Sequence, residues 1–198
     1  MKSLLSAAFL LLIFATGSKA QEQTPLQKHV AFFDANNDGI VYPTETYKGL
    51  RAIGLNAALS LAASALINGF MSPKTTPDGK FNPLLPIYVS NINKAMHGGD
   101  TGVYDSNGGF VEANFEAIFE KHAKTNPNAL TKQELDEMLQ ANKDSDVAGG
   151  NASSAEWNVL YNLCKDKDGF LQKETIRKVI DGSLFYELQK ANQSSLKQ

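Results

Sequence analysis

One cysteine, Cys164, occurs among 198 residues, so no intramolecular disulfide can form. An exported fold of this chain must therefore rest on its core and on bound ions. The formal net charge is only −2, which leaves no basic footprint for nucleic acid. Methionine is scarce, with four residues including the initiator. Calcium sensors of the calmodulin type use Met-rich grooves and several intact loops, so that class is disfavoured. Histidine is scarcer still, at His29, His97 and His122. Long hydrophobic runs are missing from the body of the chain. The best candidate, residues 55–71, is uncharged and Ala/Leu-rich. As a helix at about 1.5 Å per residue it reaches about 25 Å, short of the ~30 Å hydrocarbon core of a bilayer.

Against these absences stands one complete signal. Residues 34–45 read as a twelve-residue EF-hand calcium loop, with Asp34 first, Asn36 third, Asp38 fifth, the Ile40 carbonyl seventh and Glu45 twelfth. Ca²⁺ takes six to eight hard oxygens from a chain that curls around it, which is why donors recur at alternating positions. Gly39 holds the sixth slot, where the loop turns sharply and a side chain is expected to clash. Val41, in the eighth, is expected to pack a short strand beneath the ion. A solvated Asp/Asn/Gly turn would explain some of these residues but not slots 1, 3, 5, 6, 8 and 12 together.

The flanks predict helices. Thr24, Pro25 and Gln27 form a start signal with a capping residue, a first-turn proline and a capping-box partner. Leu26, His29, Val30 and Phe33 then share one face, which places an imidazole on an apolar stripe. A packed core histidine is the ordinary explanation of such a ring. The exit helix is expected over 44–53, with Gly54 as its stop.

Residues 1–20 carry Lys2, an apolar stretch over 4–14 and a small-x-small site at Ser18-Lys19-Ala20. They predict a signal peptide cleaved after Ala20 and entry into the secretory pathway, with an uncleaved anchor as the alternative. Asn151 and Asn192 then become candidate glycosylation sites.

In residues 55–71, Leu55, Leu59, Ala62, Leu66 and Phe70 line one side and Asn56, Ser60, Ser64 and Asn68 another. An interfacial helix and a buried core helix both fit this pattern. Pro73, Pro77, Pro83 and Pro86 predict a stiff turn that returns the chain, with Pro86 opening a helix over 87–96 that stops at His97-Gly98-Gly99. Val111, Phe115, Ile118, Phe119 and His122 trace a further helix face. Thr131 and Glu134 cap another helix over 131–139. Residues 142–155 read as a loop. Residues 164–175 repeat the calcium loop weakly, with Asp166, Asp168, Gly169 and Leu171 in register but Cys164 first and Thr175 last. Residues 123–134 are a fainter relic, with Leu130 and Glu134 in place. The expected fold is mainly α, built from EF-hand-like helix–loop–helix units, one intact and one or two degenerate, with an inserted apolar helix and proline-rich turn. The expected segments are 1–20, 21–54, 55–86, 87–187 (the degenerate EF-hand region) and a polar tail, 188–198.

The run Leu26-Gln-Lys-His-Val-Ala-Phe-Phe-Asp34, continued to Tyr47-Lys-Gly-Leu-Arg-Ala-Ile-Gly54, resembles the caleosins, plant and fungal haem peroxygenases with an EF-hand. The resemblance continues in Pro83-Leu-Leu-Pro86, Asn91-Ile-Asn-Lys-Ala-Met-His-Gly98, Tyr104-Asp105, Cys164-Lys-Asp-Lys-Asp-Gly-Phe-Leu171 and Asp181-Gly-Ser-Leu-Phe185. It implies haem b held by His29 and His97, Ca²⁺ in the loop, and a haem-associated character for residues 87–187. It implies oxygen transfer from fatty-acid hydroperoxides to unsaturated fatty acids or heteroatoms without NADPH or O₂, in oxylipin metabolism and stress response. It also implies a lipid-droplet or membrane surface as partner, and it leaves homo-oligomerisation open. His122 is left as a packing or surface residue. The signal-like N-terminus departs from the droplet-coating members of the family. A non-enzymatic calcium-binding protein of lipid surfaces is the competing reading.

Overall fold

The structure is a computed structural model that describes residues 22–96, 101–142 and 147–195, with the backbone alone at 147–152. The expected signal peptide, His97 and the Asn151 side chain lie outside the described residues.

Helix α1 (Pro25–Ala31) starts as its sequence predicts. The Thr24 hydroxyl accepts the Gln27 N–H at 3.2 Å and the Gln27 amide oxygen accepts the Thr24 N–H at 2.9 Å, closing a capping box that satisfies two orphan donors. The acidic loop follows, then strand β1 (Ile40–Val41) and helix α2 (Pro43–Ala52). Helix α3 (Ala57–Thr75) is capped by Asn56, whose side chain accepts the Leu59 N–H at 2.9 Å.

Two expectations fail in the next stretch. Pro73 lies inside α3 and not in the turn. A proline within a helix removes one backbone donor, and here it comes in the last turn, where the loss is confined. Residues 87–96 are not one α-helix either. Ile87 and Tyr88 form strand β2, paired antiparallel with β1 in the register Ile40↔Tyr88 and Val41↔Ile87, and Val89–Ala95 is a 3₁₀ helix. The β-branched and aromatic residues after Pro86 find a partner strand that sequence periodicity does not reveal.

The second half repeats the plan. It runs through α4 (Glu112–His122), β3 (Ala129–Leu130), α5 (Lys132–Asn142), α6 (Val147–Cys164), β4 (Leu171–Gln172), α7 (Lys173–Ile180) and α8 (Ser183–Ser195). Strands β3 and β4 pair antiparallel, with Leu130 opposite Leu171. Both leucines are fully buried, and truncating either to Ala would cost about 2–5 kcal/mol. The expected loop over 142–155 is corrected: α5 runs to Asn142 and residues 147–155 are the first turns of α6. Its Gly/Asn/Ser content is poor for a helix, but propensity is a weak prior that tertiary packing overrides.

The packing of α3 decides what its pattern left open. Ser60, Ser64, Asn68, Ser72 and Thr75 face the protein and are buried, whereas Leu59, Leu61 and Leu66 are exposed, Leu66 by 71%. The polar stripe is therefore the packed one. Asn68 explains the inversion. Its amide donates to the Val41 carbonyl at 3.0 Å and the Leu85 carbonyl at 2.9 Å, and its oxygen accepts the Thr46 hydroxyl at 2.7 Å. One buried side chain thereby ties α3 to β1, α2 and the proline-rich turn, with both its donors and one acceptor site used.

The core falls into three clusters. Phe115, Phe119, Leu130, Leu135, Met138 and Leu171 centre the second half. Leu26, Val30, Val41, Ile87, Val89 and Ile92 join α1 to β1, β2 and the 3₁₀ helix. Phe185 of α8 enters a third cluster with Leu50, Ile53 and Leu55, so the last helix closes onto the first half of the chain.

Candidate functional site

The loop between α1 and α2 is folded by its own acidic residues. Asp34 accepts the Asp38 N–H at 3.1 Å and the Gly39 N–H at 2.8 Å, Asn36 accepts the Asp38 N–H at 3.1 Å, and Asp38 accepts the Ile40 N–H at 2.8 Å. Such bonds set the curl that presents oxygens to an ion. Glu45 is nearly buried and accepts the Tyr42 N–H at 3.0 Å. Gly39 has φ +82°, but a Cβ there would meet nothing within 4 Å. The expected clash is thus corrected: the position needs glycine for its backbone conformation and not for room. Among the described residues no three His, Cys, Asp or Glu side chains gather as a closed metal cluster. The loop offers a mixed set instead, two Asp, one Asn, one Glu and the Ile40 carbonyl, all hard oxygen donors suited to Ca²⁺.

The two relic loops are closed by hydrogen bonds of their own side chains. The Glu134 carboxylate accepts N–H groups of Lys124, Thr125 and Thr131 at 2.7–2.9 Å. Burial alone would raise its pKa, but these donors win and hold it at about 2. Asp166 accepts N–H groups of Asp168 and Phe170 at 3.0 and 2.9 Å and the Gln172 amide at 2.7 Å. Burial pushes the Cys164 thiol up to about 11, which removes it as a thiolate donor at neutral pH.

His29 lies on α1, one turn before the loop. Its Nδ1 stands 2.7 Å from the Val179 carbonyl, and its ring meets Phe185 edge-on at 4.9 Å. Phe185 also contacts Phe32 and Phe33. The residue keeps some exposed surface, yet the ring is enclosed enough that burial pulls its pKa down, against the opposing effects of the Val179 carbonyl and the Asp181 carboxylate. A neutral imidazole with one nitrogen bonded to a carbonyl fits haem iron as donor chemistry. His122 ends α4, half-exposed beside Lys121 and Lys124, in keeping with a surface role. Surface cavities of about 340 and 380 Å³ lie over Glu116 and Lys173, the larger one reaching Arg177. Glu116 in their walls pairs with Lys173 and Arg177, and neither cavity is lined by His29 or the acidic loop.

The acidic loop, α1 and the 3₁₀ helix are packed together. The Val89 N–H donates to the Gly39 carbonyl at 3.0 Å, so the loop is bonded to the segment that leads through the 3₁₀ helix toward His97. Leu26 and Val30 of α1 pack in the same cluster as Ile92 and Ala95 of that helix. What sequence reasoning missed is the Val179 carbonyl, 150 positions from His29.

A sequence model of the family described as "Caleosin related protein" matches residues 21–189. The chain belongs to the caleosin family. It is 52% identical over 183 residues to a protein of Arabidopsis thaliana named "Probable peroxygenase 4", covering 91% of this chain and 94% of that one. It is 47% identical over 182 residues to a "Peroxygenase" of Lilium longiflorum, covering 91% of this chain and 76% of the other. A third relative, "Probable inactive peroxygenase-like protein" of Arabidopsis thaliana, is 38% identical over 149 residues, 75% of this caleosin and 71% of the other. No solved structure matches the chain.

Proposed function

We propose that this caleosin is a calcium-binding haem peroxygenase. It transfers one oxygen atom from a fatty-acid or other organic hydroperoxide to an unsaturated lipid, giving an epoxide, or to a heteroatom. Peroxygenase as the enzyme class rests on the family and on relatives of that name at 52 and 47% identity. The observation that carries the haem reading is the 2.7 Å bond between His29 Nδ1 and the Val179 carbonyl, because it leaves the other ring nitrogen with a lone pair. When bound, haem supplies a redox-active iron for hydroperoxide O–O cleavage. The hydroperoxide leaves as the alcohol while the acceptor gains its oxygen, so neither NADPH nor O₂ enters the balance.

The chain's own residues set the conditions for that chemistry. His29 and His97 are the proposed haem ligands. Phe32, Phe33 and Phe185 form an aromatic wall near His29 that excludes water. The EF-hand, with Asp34, Asn36, Asp38, Ile40 and Glu45 as its Ca²⁺ donors, locks the C-terminal end of α1 and so fixes the orientation of His29. The three helix–strand–helix units, α1–β1–α2, α4–β3–α5 and α6–β4–α7, support an EF-hand-like origin for both halves.

The exposed Leu59, Leu61 and Leu66 of α3, with Phe81 and Leu84 of the turn, support docking on a lipid or membrane surface as the source of apolar substrate. No helix among the described residues is long and apolar enough to cross a membrane. Residues 1–20 support routing through the secretory pathway, for which N-terminal sequencing that begins at Gln21 is the check. The same exposed surface also suits the competing reading, a lipid-surface protein that holds no haem.

Colour separates the two. The mature chain purified with Ca²⁺ and haem is expected to show a Soret band that is lost or shifted in both His29→Ala and His97→Ala. The parent is also expected to convert oleic acid to its epoxide with cumene hydroperoxide as oxidant. A parent with no Soret band overturns the enzyme reading.

A further inference from the structure

We propose that His29 engages iron through Nε2, and that the Val179 carbonyl, held against α1 by the turn at Gly182, is the positioning element that imposes this choice. The proposal rests on the haem reading above and adds residues that periodicity and resemblance do not assign.

The choice of nitrogen follows from hydrogen-bond chemistry. A carbonyl oxygen accepts and never donates, so at 2.7 Å from Val179 the Nδ1 atom must carry the ring proton. A neutral imidazole has one ring proton, and the lone pair that binds a metal is then on Nε2. Val179 lies in the last turn of α7, where carbonyls run short of helical partners; its own accepts the Gly182 N–H at 3.0 Å and keeps a second lone pair for His29. Two of these carbonyls are met by side chains from elsewhere: Val179 by His29, and Ile180 by the Tyr104 hydroxyl at 2.6 Å. The acceptor is therefore fixed by the helix end, and the ring turns to meet it. Phe185, edge-on to the ring at 4.9 Å, limits its rotation from the α8 side.

Gly182 sets the distance between the two segments. Its φ is +77°, and a Cβ built on it would stand 2.9 Å from His29 Cα and 3.0 Å from the Lys28 carbonyl oxygen. Both are backbone atoms, so neither yields by a side-chain rotation. Any side chain at 182 must push α1 away from the end of α7, which lengthens the Nδ1–carbonyl bond. Partners that orient a metal-bound histidine typically carry about 10–100-fold in metal affinity.

The test uses the mature chain with Ca²⁺, as wild type and Gly182→Ala, with His122→Ala as control and far-UV circular dichroism as the check on folding. Two-bond ¹⁵N–¹H correlations of the haem-free protein read the His29 tautomer directly. The expected result is Nδ1–H in the wild type and a mixture of tautomers in Gly182→Ala. A proton on Nε2 in the wild type overturns the proposal without recourse to any variant. Haem titration followed at the Soret band is expected to show about 10–100-fold weaker binding in Gly182→Ala and none of that loss in His122→Ala. Equal affinity in a folded Gly182→Ala overturns the positioning role and leaves the haem reading intact. A wild type that takes up no haem removes both together.

Discussion

The Thr46 hydroxyl donates to the Asn68 side-chain oxygen at 2.7 Å, a buried bond between α2 and α3 across which the polar face of a mostly apolar helix is turned inward. The Asn68 amide meanwhile serves the Val41 and Leu85 carbonyls, and Leu85 sits at φ +50°, a conformation rare for a leucine. Asn68→Ala removes three hydrogen bonds of a buried side chain at once. A loss of about 2–4 kcal/mol is expected from these lost bonds, and urea unfolding of the variant against wild type measures it. Asn68→Asp keeps the shape and the acceptor but loses both donors, and it is expected to be at least as unstable.

Glu134 makes the second half of the chain acid-sensitive. Its folded pKa of about 2 lies below the ordinary 4.5, so its contribution to stability is complete above about pH 4.5. That contribution falls away as pH drops from there toward 2. Glu134→Gln cannot ionise and cannot accept the same three N–H groups as strongly. The variant is expected to be less stable than wild type at pH 6 and to show a shallower fall in stability between pH 5 and 3. A pH series of denaturation midpoints gives the comparison, and parallel curves would show that Glu134 is not the titrating group.

Calcium should raise stability through the 34–45 loop alone. A ligand at a hundredfold excess over its Kd adds about 2.7 kcal/mol when it binds only the folded state, so thermal unfolding is expected to shift upward on adding Ca²⁺. Glu45→Gln and Asp34→Ala are expected to abolish most of that shift, whereas Asp166→Ala is expected to leave it in place because that loop has Cys164 and Thr175 in its first and last ligand slots. Chelation with EGTA is also expected to lower haem occupancy, since the loop steadies the helix that carries His29. Full haem and full turnover after EGTA would separate the two sites.

Leu61 and Leu66 are 65% and 71% exposed, so replacing both with Ser removes little packing and stability should change by less than about 0.5 kcal/mol. Binding to phosphatidylcholine vesicles, followed by flotation, is expected to fall several-fold. Unchanged flotation would move the lipid contact away from α3.

Locally encoded features were legible in the chain. The curl of residues 34–45 around Asp34, the Thr24–Gln27 and Thr131–Glu134 capping boxes, and the face carrying Phe115 depend on contacts within a few residues. The position of β2 was not legible, because two residues become a strand only when β1 lies beside them. The first turns of α6 read as a loop because their Gly/Asn/Ser composition opposes the helix they form.

By itself, then, the sequence determined that an acidic twelve-residue loop follows a histidine-bearing helix, and that the motifs of one family run from 26 to 185 in order. Only the tertiary structure decided which face of α3 is packed, and that the proton of His29 is held by a carbonyl 150 residues away. The reason is physical. Capping, turn geometry and ligand spacing are properties of neighbours along the chain. Burial and the tautomer of an imidazole are set by whatever the fold places against them.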